Sequence, residues 1–124
     1  MGENSGFSTR LTECRGMPLI HTSGEIDLYT VPQFQQALRA GMDSGSPVLI
    51  VDLTDVQYID SAGLSALIGA YKELSSQKRR LFVIAPENHP GVSRVLEISR
   101  LNTIISIRGS LKEVMSEIDA LRAA

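Results

Sequence analysis

Apolar positions along the chain switch between a period of two and a period near 3.6, and the switches mark where strands give way to helices. Phe7, Thr9 and Leu11 alternate with polar neighbours, and Arg15-Gly16 separates them from Leu19 to Thr22, which predicts two short strands joined by a tight turn. Thr30-Val31-Pro32-Gln33 reads as a helix start, with Thr30 as cap, Pro32 in the first turn and Gln33 closing a capping box. The helix stripe is Val31, Phe34, Ala37, Leu38 and Met42, and Asp43-Ser44-Gly45-Ser46-Pro47 ends it. Val48 to Leu53 is almost wholly apolar, the mark of a strand covered on both faces.

Past Ser61, the residues Leu64, Leu67, Ile68, Tyr71 and Leu74 fall at helical spacing, predicting a helix to about Ser76. Leu81 to Ala85 is another buried strand. Pro90 opens a short helix with Val92, Val95, Leu96 and Ile98 inward, and Ile104 to Ile107 reads as the last strand. Ser110-Leu111-Lys112-Glu113 supplies a second capping box, starting a helix with Leu111, Val114, Met115, Ile118 and Leu121 on its apolar side. The order β-β-α-β-α-β-α-β-α predicts an α/β fold: a mixed, mostly parallel sheet flanked by about four helices.

Composition narrows the function classes. A length of 124 residues suits one domain over 1–124, and 43% hydrophobic with 21% charged residues is ordinary for a soluble globular chain. The net charge of −2 offers no electrostatic footprint for nucleic acid, and Lys78-Arg79-Arg80, the one tight basic cluster, reads as a solvated turn. No segment could span a bilayer, and Gly6 stands where a myristoylation signal beginning at Met1-Gly2 needs Ser or Thr, so no membrane contact is expected. A single Cys14 and no apolar leader make a reducing, cytoplasmic setting the expectation.

Candidate chemistry gathers at Asp60-Ser61-Ala62-Gly63, where a strand passes into a helix. The first N–H groups of a helix are unpaired and attract negative charge, so Ser61 either caps the helix or offers its oxygen to chemistry. Asp60 competes for the cap or fixes the turn. No glycine stands two positions before Ser61, as a nucleophile elbow requires, and His21 and His89 have no Cys or acidic neighbour at metal-ligand spacing. A phosphoryl group on Ser61 would bring a charge of roughly −1.5 to −2 to a helix start that tolerates it, while burdening any partner packed against it. Ala62 and Gly63, being small, are expected to leave the hydroxyl approachable.

Two motifs, Gly24-Glu25-Ile26-Asp27 and Asp60-Ser61-Ala62-Gly63-Leu64, in this order of elements, make the chain resemble the STAS domains, specifically the bacterial anti-sigma factor antagonists, also called anti-anti-sigma factors. The resemblance runs from the first strand to the last helix. It implies a non-enzymatic regulator without a cofactor of its own, in which Ser61 is the phosphorylation site. The unphosphorylated form would bind an anti-sigma factor that is also a serine kinase, freeing its sigma factor. Phosphorylation would break that complex, and a PP2C-type phosphatase would restore it. The implied contact surface is Glu25, Asp27, Asp60, Ser61, Ala62, Gly63 and Ser65; for Glu25 and Asp27, ordering the turn is an equal alternative. A monomer or weak dimer is expected.

The chain departs from the family pattern twice. Ser99-Arg100-Leu101 stands where the family often has Ser-Gly-Leu, so a helix end usually served by glycine must close otherwise or accept strain. Ala62 replaces a frequent Ser or Thr and leaves Ser61 as the motif's one hydroxyl. Two other readings stand: a STAS accessory or scaffold subunit of a transporter or stress-sensing complex, and a small serine hydrolase with Ser61 as nucleophile.

Overall fold

Strands β1 (Ser8–Cys14) and β2 (Met17–Ile26) pair antiparallel through a turn whose Arg15 and Gly16 both have positive φ, the pattern of a tight hairpin. The remaining elements are α1 (Val31–Asp43), β3 (Val48–Ile59), α2 (Ser61–Ser76), β4 (Arg80–Ile84), α3 (Pro90–Ile98), a 3-10 turn at Leu101–Thr103, β5 (Ser106–Arg108) and α4 (Leu111–Ala123). This computed structural model describes residues 6–123, so the reading of Met1-Gly2 lies outside the described residues. The order β1-β2-β3-β4-β5 is sequential, with β2 to β5 parallel, as expected for the predicted α/β fold.

Sequential parallel strands joined by right-handed crossovers place every crossover helix on one face. Accordingly Phe34 and Leu38 of α1, Leu67 and Leu74 of α2, and Val92 and Leu96 of α3 share a core with Ile20, Leu49, Val51, Leu53, Leu81 and Val83. The other face is covered by α4, whose Val114, Met115 and Ile118 pack on Met17, Val48, Ile50, Phe82 and Ile84. That double cover explains why Val48 to Val51 is fully apolar. Where the sheet runs on past α4, polar side chains take over the same face: Asp52 accepts from Thr54, and His21 Nε2 meets Asp55 Oδ2 at 2.8 Å.

Several local expectations are corrected. β3 continues to Ile59 because its second half is covered on one face only, and Leu53, Val56 and Ile59 alternate with exposed or half-buried residues there. The Thr30 capping box does not form: Thr30 Oγ1 donates to Glu25 O (2.8 Å) and accepts from Asp27 N–H (3.0 Å), so it closes the β2–α1 loop instead. At α4 the Glu113 N–H donates to Ser110 Oγ as expected, but the Glu113 carboxylate reaches the N–H of Gly109. Leu64, Ile68 and Tyr71 are only half-buried; the face of α2 that meets the sheet is Gly63, Ala66, Leu67, Ala70 and Leu74. Ile98 is 75% exposed rather than inward, and Leu121 is also exposed.

The basic cluster is not simply solvated. Arg79 donates through Nη2 to Met42 O in the last turn of α1 and through Nε to Ser46 O in the loop that follows, tying the end of α1 to the start of β4. Helices α1 and α2 are also clasped at the surface, where Arg39 holds both Glu73 oxygens at 2.7 Å. Those hydrogen bonds hold the Glu73 carboxyl below the usual carboxylate range.

One departure from the motif pattern, at Arg100, and one residue that keeps to it, Gly63, have physical outcomes. Arg100 takes the left-handed conformation (φ 62) at the end of α3, the strain expected where glycine is missing. Gly63 faces inward: a Cβ there would lie 2.6 Å from Ile59 Cγ1 and 2.7 Å from Ile26 Cγ2. The helix start can approach the strand ends only because that atom is absent.

Urea unfolding checks both points. Gly63→Ala is expected to lose about 1–3 kcal/mol through overpacking, whereas Gly69→Ala, on the exposed side of the same helix with open space around it, gains up to about 1 kcal/mol from helix propensity. Arg100→Gly is expected to gain about 0.5–1 kcal/mol by relieving the left-handed residue, the strain removed exceeding the entropy glycine adds to the unfolded chain.

Candidate functional site

The parallel register between β2 and β3 brings the two motifs together. Glu25 pairs with Tyr58 and Ile26 with Ile59, and the Asp60 N–H then donates to Ile26 O at 3.0 Å, carrying the pairing into the turn before α2. Gly24 begins the first motif for a steric reason: its φ is 97°, and a Cβ would stand 2.0 Å from Gly6 O.

Asp60, not Ser61, caps α2. Its Oδ1 accepts from the N–H of Ala62 (2.8 Å) and of Gly63 (3.2 Å), and its carbonyl accepts from Leu64. Ser61 is therefore the first residue of the helix, exposed, and its hydroxyl makes no hydrogen bond to another described residue. Of the two candidates for the cap, Asp60 takes the role, and the Ala62 and Gly63 N–H donors are occupied by it. What remains there is exposure and the favourable end of the helix dipole.

The other predicted residues divide. Asp27 is a turn-maker: its Oδ1 accepts from the N–H groups of Tyr29 (2.9 Å) and Thr30 (3.1 Å). Glu25 is exposed, and its carboxylate accepts no hydrogen bond from a described residue, so it is free for contact. Ser65 is exposed one turn beyond Ser61, and Ala62 is half-buried. Gly63 is buried, so its small size serves packing against the sheet and gives neither contact surface nor access.

Three residues that patterning did not single out complete the surface. Leu28, Tyr29 and Tyr58 are 69%, 84% and 49% exposed, and all lie in the segments that flank the Ser61 turn. Leu28 and Tyr29 follow Asp27 directly, and Tyr58 pairs with Glu25, so each exposed side chain adjoins a motif residue. Tyr29 also lines a groove with Phe7, Glu25, Asp27, Thr30 and Gln57. The signal in the sequence was the run Leu28-Tyr29, which fits neither the strand before it nor the helix stripe after it.

Among the described residues no base is hydrogen-bonded to the Ser61 hydroxyl. Neither histidine bonds it: His21 is paired with Asp55, roughly 16 Å up β2 from Ile26 at ordinary strand rise, and His89 precedes α3. Among the described residues no group of three or more His, Cys, Asp or Glu side chains could hold a metal ion, and no helix is long and apolar enough to cross a membrane.

Known proteins agree with this architecture. The STAS domain family profile matches residues 9–114. The anti-sigma-B factor antagonist of Listeria monocytogenes is 37% identical over 89 residues, 72% of this chain and 76% of that one. Among solved structures, an anti-sigma factor antagonist from Mycobacterium paratuberculosis superposes with a TM-score of 0.84 at 24% identity, over 96% of this chain and 99% of its own. The Bacillus cell fate determinant SpoIIAA in its phosphorylated form gives 0.66 at 20% identity, over 90% and 99%; these two likenesses concern the fold. With both motifs meeting at one turn and the profile spanning the sheet and its crossover helices, the chain belongs to the STAS-domain family of anti-sigma factor antagonists.

Proposed function

We propose that the protein is an anti-sigma factor antagonist that works by partner switching, with Ser61 as the switch. In the unphosphorylated state it binds an anti-sigma factor of the serine-kinase type and so frees a sigma factor. The kinase phosphorylates Ser61, the complex breaks, and a PP2C-type phosphatase resets it. ATP and magnesium belong to the kinase, and the setting is the cytoplasm. The observation that carries this reading is the division of labour at the turn: Asp60 supplies the cap while the Ser61 hydroxyl stands exposed and uncommitted.

The physics of the switch follows from position. A phosphoryl group adds roughly −1.5 to −2 charges at neutral pH, beside Asp60 and close to the end of β2, which carries Glu25, and to Asp27 in the loop that follows. Nothing in the fold depends on the Ser61 hydroxyl, so the fold persists. In a partner's contact surface, the same dianion faces desolvation and like-charge repulsion of several kcal/mol, and about 1.4 kcal/mol is tenfold in affinity. Leu28, Tyr29 and Tyr58 supply apolar area for the unmodified complex, as aromatic anchors commonly do.

Incubation with a kinase-type anti-sigma factor and ATP, followed by intact-mass and fragment-mass measurement, is expected to give one added phosphate, on Ser61. No phosphate, or phosphate elsewhere, contradicts the proposal. By calorimetry, Ser61→Ala is expected to keep binding while losing modification, and Ser61→Asp to weaken binding by roughly tenfold or more; two variants that both bind as wild type would refute the switch.

A further inference from the structure

A groove of about 370 Å³ lies where the end of α2 meets the starts of β4 and β5, roughly 20 Å along α2 from Ser61. Lys78, Arg79 and Arg80 line it together with the hydroxyls of Tyr71, Ser75 and Ser106. No carboxylate lines it, although the chain as a whole is acidic, with a net charge of −2. The one acidic residue of α2, Glu73, is held by Arg39, and helical period turns it away from Tyr71 and Ser75.

We propose that this groove binds a small phosphate-bearing ligand. Arg79 is its fixed element. Of the five N–H donors of a guanidinium, Arg79 commits one from Nε to Ser46 O, one from Nη1 to Gln77 Oε1 and one from Nη2 to Met42 O, which leaves one on each Nη. Those two belong to a side chain already held in place, so an oxyanion meets them with little ordering cost. Lys78 and Arg80 are exposed and form no ion pair with a described residue, and the three hydroxyls make no hydrogen bond to one. Three cations and three free hydroxyls exceed what the two oxygens of a carboxylate can accept. They suit the three terminal oxygens and nearly double charge of a phosphoryl group. Ile104, 52% exposed beside them, offers apolar surface to the carbon part of the ligand.

Lys78 itself holds the left-handed conformation (φ 59) that closes α2, where glycine is the usual residue. The chain accepts that strain and gains an ammonium group at the groove. Carbonyls at a helix C-terminus repel anions, but here Leu74 O accepts from the Arg79 N–H and Ser75 O from the Lys78 N–H, so both are already satisfied. The groove shares no residue with the Ser61 turn, and the proposal does not rest on the switching function.

Titration of the full isotope-labelled chain with glycerol phosphate at constant ionic strength is expected to give saturable amide shifts at Lys78, Arg79, Arg80 and Ser106, and a shift of the Arg79 side-chain Nε–H. Arg80→Gln is expected to raise the dissociation constant by roughly threefold. Lys78→Gly removes the ammonium group and the left-handed strain together, so it is expected to raise the urea midpoint while weakening binding by a similar factor, which separates lost binding from lost folding. Parallel titration with inorganic phosphate and flotation with vesicles containing phosphatidic acid distinguish the sources. Tighter binding of glycerol phosphate assigns a small organic phosphate, equal binding assigns free phosphate, and retention on the vesicles alone assigns a lipid headgroup. No saturable binding of any of the three probes, shifts spread evenly over the other exposed cations, or binding unmoved in both variants would each overturn the proposal.

Discussion

The hydrogen bond from the Asp60 N–H to Ile26 O is the junction on which the site depends. It extends the β2–β3 ladder by one residue beyond the last strand pair and fixes where α2 begins. Asp60 then turns its carboxylate onto the N–H groups of Ala62 and Gly63, and Gly63 lets the helix settle on Ile26 and Ile59. Burial of two such isoleucines stabilises by roughly 1.5–3 kcal/mol each, far more than a surface hydroxyl contributes. Helix start and core are thus secured without Ser61.

The same junction decides what a modification can do. Had Ser61 supplied the cap, a phosphoryl group on its oxygen would have rebuilt an N-cap hydrogen bond that contributes about 1 kcal/mol to the helix. With Asp60 in that role, the added charge meets only solvent and whatever partner covers the turn. Asp27 works in parallel, holding the β2–α1 loop through Tyr29 and Thr30 N–H, so the exposed Leu28 and Tyr29 project from an ordered loop rather than a loose one. Preorganised aromatic contacts of this kind lower the entropic cost of binding.

Much of this was legible in the sequence, because local chemistry and tertiary outcome coincide there. Val48 to Val51 is apolar on both sides since helices cover both faces, and the two motifs bracket the turn they build. What patterning missed depends on neighbours distant in the chain. Thr30 has a capping residue's chemistry, but the Glu25 carbonyl lies within reach and takes its hydroxyl. Arg79 reads as solvated until the end of α1 is placed beside it. Ser61 and Asp60 are adjacent candidates for one cap, and only the geometry at Ile26 selects Asp60. The exposure of Leu28, Tyr29 and Tyr58 has no signature in hydrophobic periodicity, which assigns apolar residues to the interior.

Backbone amide NMR of the chain before and after phosphorylation of Ser61 tests most directly whether the charge acts at the surface alone. The account predicts chemical-shift changes confined to residues 24–30 and 58–65, with the hydrogen-bonded Ala62 and Gly63 amides still held by Asp60. Changes spreading along α2 to Leu74 or into β4, or loss of protection at Ala62 and Gly63, would contradict it.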